Sequence, residues 1–199
     1  SGESGDSSNS PKRKIQTPVP IDVRKSATRI IEQVALALHA AHGVGVIHRD
    51  VKPGNIMITK DDQPIVLDFG LAGDLHDESA GLTQTGDIFG TPAYMAPEQL
   101  NAAAGQVNPR TDVYALGVTL YEAIAGKRPF VEPTREALYR AIAEDDAPTL
   151  RQIDGQVHGD LSLIVETAMQ KNPDKRYNTA GAMAEDLRRF RIRLPILAR

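Results

Sequence analysis

The most informative stretch of this sequence is IHRDVKPGNIMI, at residues 47–58. It places a carboxylate at Asp50, an ammonium group at Lys52 and a side-chain amide at Asn55. A proline and a glycine lie between Lys52 and Asn55, and these residue types predict a turn that lets the three polar side chains converge. Short apolar runs flank the stretch, as expected of strands that would hold the turn in place. The pattern predicts a rigid loop that gathers three polar groups.

These groups meet the needs of phosphoryl transfer, which uses a carboxylate near the attacking hydroxyl, a cation on the phosphate and oxygen ligands for Mg²⁺. A second motif, Asp-Phe-Gly at residues 68–70, follows an apolar run at residues 65–67. A carboxylate at the end of a strand is well placed to bind a hard cation through oxygen. Either motif alone could be an ordinary polar turn, but together they favour a phosphoryl-transfer site.

The two motifs resemble the HRDxKxxN catalytic loop and the DFG turn of eukaryotic-like serine/threonine protein kinases, in their bacterial form. The resemblance implies that Asp50 is the catalytic base and that Lys52 contacts the γ-phosphate. It also implies that Asn55 and Asp68 hold Mg²⁺ and that His48 packs beneath the loop. The implied cofactors are therefore ATP and Mg²⁺, and the implied partner is a protein substrate with a serine or threonine.

A third stretch, GTPAYMAPEQ at residues 90–99, resembles the kinase segment that docks substrate and ends in the APE motif. The resemblance implies that Thr91 forms hydrogen bonds close to the catalytic loop. It also implies a buried ion pair between Glu98 and Arg176, although each could instead be a solvated surface residue. Breaking such a pair from one side costs about 3–5 kcal/mol.

The stretch at residues 111–125 predicts a buried central helix, because apolar residues occupy several of its faces. Thr111 or Asp112 is a plausible N-cap by residue type. The stretch resembles the central helix of the kinase lobe, which implies that Asp112 accepts hydrogen bonds from the catalytic-loop backbone. Glu122 could recognise a basic residue of a substrate, or it could be structural.

Two threonines, Thr83 and Thr85, lie between the DFG and APE motifs and resemble autophosphorylation sites of bacterial kinases. A phosphate adds a charge of about −1.5 to −2 and can order a loop against an arginine. Arg49, beside the catalytic aspartate, is the expected receiver. Threonines are also common in loops that carry no such modification.

The fold class expected from these patterns is α+β and mainly α: a protein-kinase-like C-terminal lobe with a few short β-strands around the catalytic loop. Residues 1–21 read as a disordered linker, residues 22–193 as the lobe and residues 194–199 as a tail. Apolar spacing predicts a helix from Asp22 that ends at Gly43 or Gly45. Further helices are predicted at residues 135–143, 160–170 and 180–191, and strands at residues 45–47, 56–58 and 65–67.

Composition excludes several classes of function. The 199 residues carry a formal net charge of −3 and no cysteine, so there is no global basic footprint for nucleic acid and no disulfide or thiolate metal site. No apolar run is long enough to span a bilayer, and no signal peptide is recognisable. We expect a cytoplasmic location, either as a free protein or as the cytoplasmic part of a membrane-anchored kinase.

The glycine-rich loop and the strand lysine of complete protein kinases are not found in this sequence. The first residue is serine, which we interpret as truncation or processing, and we expect the N-terminal lobe upstream. Met57 is then an expected cofactor contact on an apolar face, with Ile56 and Ile58, that the missing lobe would cover. The alternatives are a non-catalytic binding or scaffold module with the kinase fold and, ranked last, a small-molecule phosphotransferase.

Overall fold

The computed structural model describes residues 18–69, 92–100 and 105–198. Seven α-helices, three short 3-10 helices and one two-stranded antiparallel sheet are present in these ranges, which confirms the mainly α fold class. The helices are α1 (Ile21–Gly43), α2 (Pro97–Leu100), α3 (Pro109–Ala125), α4 (Arg135–Glu144), α5 (Leu150–Ile153), α6 (Gly159–Ala168) and α7 (Ala180–Arg191). The strands are β1 (Ile56–Ile58) and β2 (Pro64–Val66), paired so that Met57 faces Ile65.

Helix α3 forms the centre of the core, as the all-round apolar pattern predicts. Every residue from 111 to 121 is buried, and the helix packs against α1, α6 and α7. The predicted N-cap at Thr111 or Asp112 is wrong. The helix begins earlier because Asn108 caps it in a reciprocal capping box with Thr111, followed by Pro109 at the first helical position. Asp112 is therefore free to bind another part of the chain.

Helix α1 presents one buried stripe to this core. Val34, Ala35 and Leu38 are fully buried, at the spacing that the sequence predicts. The stripe packs on α7 and α3, and this packing fixes the direction in which the chain leaves the end of α1. That end leads directly into the predicted catalytic loop.

The predicted strand at residues 45–47 does not form. A strand needs a neighbour for its backbone groups, but here those groups have other partners. The Val46 N–H donates to Ala41 O at the end of α1, and the next amides, of His48 and Arg49, donate to the Asp112 carboxylate. The chain therefore runs from α1 into the loop along the end of α3.

The sheet carries exposed apolar side chains on the predicted interlobe face. Met57 is 47 % exposed and Ile58 is 41 % exposed, whereas Ile56 is partly buried against the core. The partner strand adds Ile65, which is also exposed.

Across residues 18–69, 92–100 and 105–198, no helix combines the length and apolarity that crossing a bilayer requires.

Candidate active site

Three of the predicted site residues meet at the carboxylate of Asp50. Its Oδ2 lies 2.7 Å from Lys52 Nζ and 3.0 Å from Asn55 Nδ2. Asn55 also donates to the backbone carbonyl of Asp50 at 2.8 Å, so a single side chain closes the loop on itself. A one-turn 3-10 helix at Pro53–Asn55 supplies the bend that the proline and glycine predict.

Asp112 holds the backbone of this loop from below. Its side chain is fully buried and accepts from His48 N and Arg49 N at 2.8 Å each, as the resemblance to kinases implies. A third contact joins Asp112 Oδ2 to His42 Nε2 at 2.7 Å. Backbone amides bound to a buried carboxylate form strong, charge-assisted hydrogen bonds, which fix the loop relative to α3.

His48 lies buried beneath the loop and links it to the DFG turn. The Asp50 N–H donates to His48 Nδ1 at 3.3 Å, so that nitrogen is the acceptor, and Nε2 carries the proton that is donated to Leu67 O at 2.8 Å. The ring of Phe69 packs on His48, with the ring centroids 4.8 Å apart. One imidazole thus joins the residue before Asp68 to the backbone of Asp50.

The position of Asp68 follows from the hydrogen bonds of Leu67. The Leu67 N–H donates to Asn55 O at 2.9 Å, while its carbonyl accepts from His48, so both polar groups of Leu67 are tied to the catalytic loop. Asp68 comes next, with an exposed side chain and a left-handed backbone at φ +59°. Its backbone is therefore tied close to the catalytic loop, and its side chain is open to solvent.

The donor set at this point fits Mg²⁺. Asn55 uses its amide nitrogen for Asp50, which leaves its oxygen for a cation, and Asp68 offers a second oxygen donor. Among the described residues, no group of three or more His, Cys, Asp or Glu side chains could hold a metal ion unaided. Mg²⁺ usually takes one or two protein oxygens and completes its shell with phosphate and water, and Asn55 and Asp68 offer oxygens of this kind.

The predicted ion pair between Glu98 and Arg176 is present and buried. Arg176 donates to Glu98 Oε1 at 2.7 Å and to Oε2 at 2.8 Å, and Thr111 Oγ1 donates to Oε1 at 2.8 Å. Burial raises the pKa of Glu98, but the hydrogen bonds and the charge of Arg176 outweigh it and hold the pKa below its ordinary value. The pair anchors α2 to the turn before α7.

Glu122 has a partner in the segment that precedes α2. Tyr94 donates its hydroxyl to Glu122, and burial together with this carboxylate raises the pKa of Tyr94 well above its ordinary value. Of the two roles considered for Glu122, the structural one therefore has a visible contact. Tyr94 and Glu98 each tie the segment at residues 92–100 to the core of the lobe.

Of the remaining predicted site residues, two are exposed and three lie outside the part of the chain that the structure describes. Met57 is exposed on β1, and the side chain of Arg49 is exposed beside the loop. Thr83, Thr85 and Thr91 lie outside the described residues.

Sequence reasoning missed two residues that support the loop, His42 through Asp112 and Gln99 through the Arg49 carbonyl. His42 continues the buried spacing of four residues through Val34 and Leu38, so a polar residue on that stripe was a readable signal. Gln99 donates to Arg49 O at 2.8 Å. No local pattern points to that contact, because Gln99 lies at an ordinary position next to the APE motif.

The fold is that of the C-terminal lobe of a protein kinase, and the sequence model of the family described as protein kinase domain matches residues 9–187. The chain belongs to that family. It is 43 % identical over 174 residues to the serine/threonine-protein kinase PknB of Mycolicibacterium smegmatis, covering 87 % of this chain and 27 % of the relative.

Two further relatives show the same pattern. The serine/threonine-protein kinase PknB of Mycobacterium tuberculosis H37Ra is 40 % identical over 164 residues, which cover 82 % of this chain and 26 % of the relative. A probable serine/threonine-protein kinase PknB of Corynebacterium glutamicum is 38 % identical over 182 residues, with 89 % and 28 % covered. The chain spans about a quarter of the length of these curated relatives.

Proposed function

We propose that this chain is part of the catalytic domain of a serine/threonine protein kinase that transfers the γ-phosphate of ATP to a protein hydroxyl. The observation that carries the proposal is the contact set of Asp50, whose carboxylate lies 2.7 Å from Lys52 Nζ and 3.0 Å from Asn55 Nδ2. Leu67 ties the start of Asp68 to the same loop. A carboxylate, an ammonium group and a side-chain amide thus lie together, and this supports the proposal because phosphoryl transfer uses a base, a cation and metal ligands.

Asp50 is the group that accepts the proton of the substrate hydroxyl. Its carboxylate is partly exposed, at 44 % for the side chain, so a substrate can reach it. Lys52 and Asn55 orient that carboxylate, and the two peptide bonds that precede Asp50 are held by Asp112 and His48. A base fixed in this way needs little rearrangement in the transition state.

Lys52 and the pair Asn55 and Asp68 are the groups that face the nucleotide. Mg²⁺, when bound, neutralises the charge that develops on the phosphate oxygens. The Lys52 ammonium contacts Asp50 in this structure. We expect it to exchange that contact for a phosphate oxygen when substrate binds. Met57, exposed on β1, would form part of the floor under the nucleotide.

We extend the proposal to a small lobe that docks on the exposed apolar face around Met57, Ile58 and Ile65. This sequence holds no glycine-rich loop and no strand lysine, which otherwise cover and clamp the phosphates. Positioning and electrostatic stabilisation supply most of the catalysis of phosphoryl transfer. We therefore expect the chain alone to bind ATP weakly, and to gain activity when joined to such a lobe.

The test compares the chain alone with the chain fused to the N-terminal lobe of an active family member, using radiolabelled ATP, Mg²⁺ and a generic protein substrate. The fusion should phosphorylate serine and threonine, and Asp50→Asn in the fusion should lower kcat by about 10²–10⁴-fold. Normal unfolding of the variant would show that the loss is chemical. A correctly folded fusion with no Asp50-dependent transfer would overturn the proposal and favour the scaffold alternative.

A regulatory role for Thr83 or Thr85 belongs to the same proposal. The exposed Arg49 guanidinium beside the catalytic loop has no carboxylate partner among the described residues, so it is available to receive a phosphate. We expect mass spectrometry of the ATP-treated fusion to find phosphate on one of these threonines, and Arg49→Gln to reduce its effect on activity. An active fusion in which both threonines remain unmodified would count against this role.

We propose the cytoplasm as the location, either of a free protein or of the cytoplasmic part of a membrane-anchored kinase. An ATP-consuming site at Lys52 and Asp68 needs access to cellular nucleotide. Accessibility of a tag on the full-length protein to protease in intact and opened cells would test it.

A further inference from the structure

The peptide bond between Arg49 and Asp50 is held at both of its polar groups. Its carbonyl, Arg49 O, accepts from Gln99 Nε2 at 2.8 Å, and its N–H, on Asp50, donates to His48 Nδ1 at 3.3 Å. A peptide plane fixed at both ends cannot rotate without breaking a contact. The orientation of this plane helps to set the direction of the Cα–Cβ bond of Asp50, and so the position of its carboxylate.

This peptide needs such support because Arg49 has a left-handed backbone, at φ +69°. For a residue other than glycine, that conformation costs on the order of 1–3 kcal/mol and persists only where neighbouring groups impose it. Asp112 holds the Arg49 N–H from the core side, and Gln99 holds the Arg49 carbonyl from the side of α2. The two contacts come from different parts of the lobe.

The Gln99 side chain is itself oriented by its own helix. Its Oε1 accepts from Ala96 N at 2.9 Å, as in one half of a capping box, so its NH₂ group must point the other way, toward Arg49. The preceding residue, Glu98, is locked to Arg176. The Gln99 donor therefore reaches the catalytic loop only when α2 is docked.

We infer that Gln99 is a positioning residue that couples the docking of the α2 segment to the geometry of Asp50. When α2 is docked, the Gln99 amide stabilises the strained Arg49 conformation and the base is correctly placed. When α2 moves away, the Arg49 carbonyl loses this donor and the loop relaxes. The inference rests on the proposed function for its catalytic consequence, while the contact itself does not depend on that function.

The chain offers a matched control for Gln99. Gln152 in α5 has the same capping geometry, since its Oε1 accepts from Thr149 N at 2.7 Å. Asp154, next to α5, binds Arg24 near the start of α1, whereas the catalytic loop follows the other end of that helix. Glutamate at either position keeps the acceptor for the cap. Only Gln99→Glu also replaces the NH₂ group that donates to Arg49 O with a carboxylate oxygen. The two variants therefore differ in one respect, which is the loss of the hydrogen bond to the catalytic loop in Gln99→Glu.

The first readout is hydrogen exchange of the His48 and Arg49 amides, measured on this chain. Both amides donate to Asp112, so they exchange when the loop opens. We expect Gln99→Glu to speed their exchange by about three- to tenfold and Gln152→Glu to leave it unchanged. Gln99→Met, which loses bridge and cap together, should speed it at least as much. Unchanged exchange in both Gln99 variants would overturn the inference.

The second readout is steady-state kinetics of the chain fused to an N-terminal lobe. Gln99→Glu should lower kcat by about 10- to 100-fold with little change in the KM for ATP, because the base is displaced while the nucleotide contacts remain. Faster exchange with unaltered kcat would also overturn the inference. An inactive wild-type fusion would count against the proposed function, and the exchange measurement would still decide the Gln99 contact.

Discussion

Glu98 and Arg176 form a doubly hydrogen-bonded ion pair in which both side chains are fully buried, although they lie 78 residues apart in the chain. The pair joins α2 to the turn before α7, and it lies against the Thr111 hydroxyl at the first turn of α3. Three separated parts of the lobe therefore meet at one carboxylate. Because α2 also carries Gln99, which donates to Arg49 O, the ion pair helps to hold this contact with the catalytic loop in place.

Removal of Glu98 should destabilise the fold strongly. A buried ion pair broken from one side costs about 3–5 kcal/mol, because the remaining charge stays desolvated. Arg176 keeps carbonyl acceptors at Arg110, Gln170 and Lys171, so we expect Glu98→Ala to fall in the lower part of this range. The measurement is the free energy of unfolding from urea titration.

The matched control is the pair of Arg110 and Asp174, whose carboxylate side chain is 83 % exposed. Asp174→Ala should change the free energy of unfolding by less than about 1 kcal/mol, because solvent screens an exposed pair. Equal effects of Glu98→Ala and Asp174→Ala would show that burial does not decide the strength of the first pair.

The same pair should make stability depend on pH in acid. The pKa of Glu98 is lower in the folded protein than in the unfolded chain, so the unfolded chain binds its proton first as pH falls. The contribution of Glu98 is then complete above its ordinary pKa, near about 4.3, and is lost as pH falls through the folded pKa. The stability difference between wild type and Glu98→Gln should shrink from pH 7 to pH 3. A difference that stays constant over this range would contradict the shift.

His42 should contribute to stability through Asp112 alone. Its Nε2 lies 2.7 Å from Asp112 Oδ2, with 6 % of its side chain exposed. His42→Ala removes one hydrogen bond from a buried carboxylate, and we expect a loss of about 1–3 kcal/mol in the free energy of unfolding. His39 on the same helix is exposed and packs along Gly181 of α7, so His39→Ala should cost less than His42→Ala.

A double-variant cycle separates this contact from simple loss of volume. Asp112→Asn and His42→Ala should show a coupling free energy of about 0.5–3 kcal/mol, because the two residues share one hydrogen bond. Additive effects of the two changes would mean that His42 acts only by filling space.

Long helices and local motifs were predictable from the sequence, and contacts between distant residues only partly so. The bounds of α7 follow from its apolar spacing, and those of α1 differ from the prediction by one residue. The pair of Glu98 and Arg176 was predictable only because both lie in motifs of a known family. The four-residue helices α2 and α5 were missed, since four residues show no helical period.

The remaining differences come from side chains that compete for backbone groups. Asn108 caps the start of α3, although Asp112 is an equally good cap by residue type. The last carbonyls of α1 in turn take the amides of Gly45 and Val46, which the predicted strand at residues 45–47 would have needed. These outcomes depend on which groups meet in space, and local sequence patterns carry no information on that.

Gly117 should be intolerant of a methyl group, because α3 and α6 touch at this point. A Cβ built on Gly117 would lie 2.8 Å from Ala168 Cβ and 3.0 Å from Met169 Cγ, which is closer than such atoms approach. Overpacking of a core costs about 1–3 kcal/mol, which exceeds the gain of about 0.4–1 kcal/mol that alanine brings to an unstrained helix. We therefore expect Gly117→Ala to lower the free energy of unfolding. Gly43, at the end of α1, has no atom within 4 Å of such a Cβ, so Gly43→Ala should be neutral or slightly stabilising. If Gly117→Ala were as stable as Gly43→Ala, α3 and α6 would have to lie farther apart than they do in this structure.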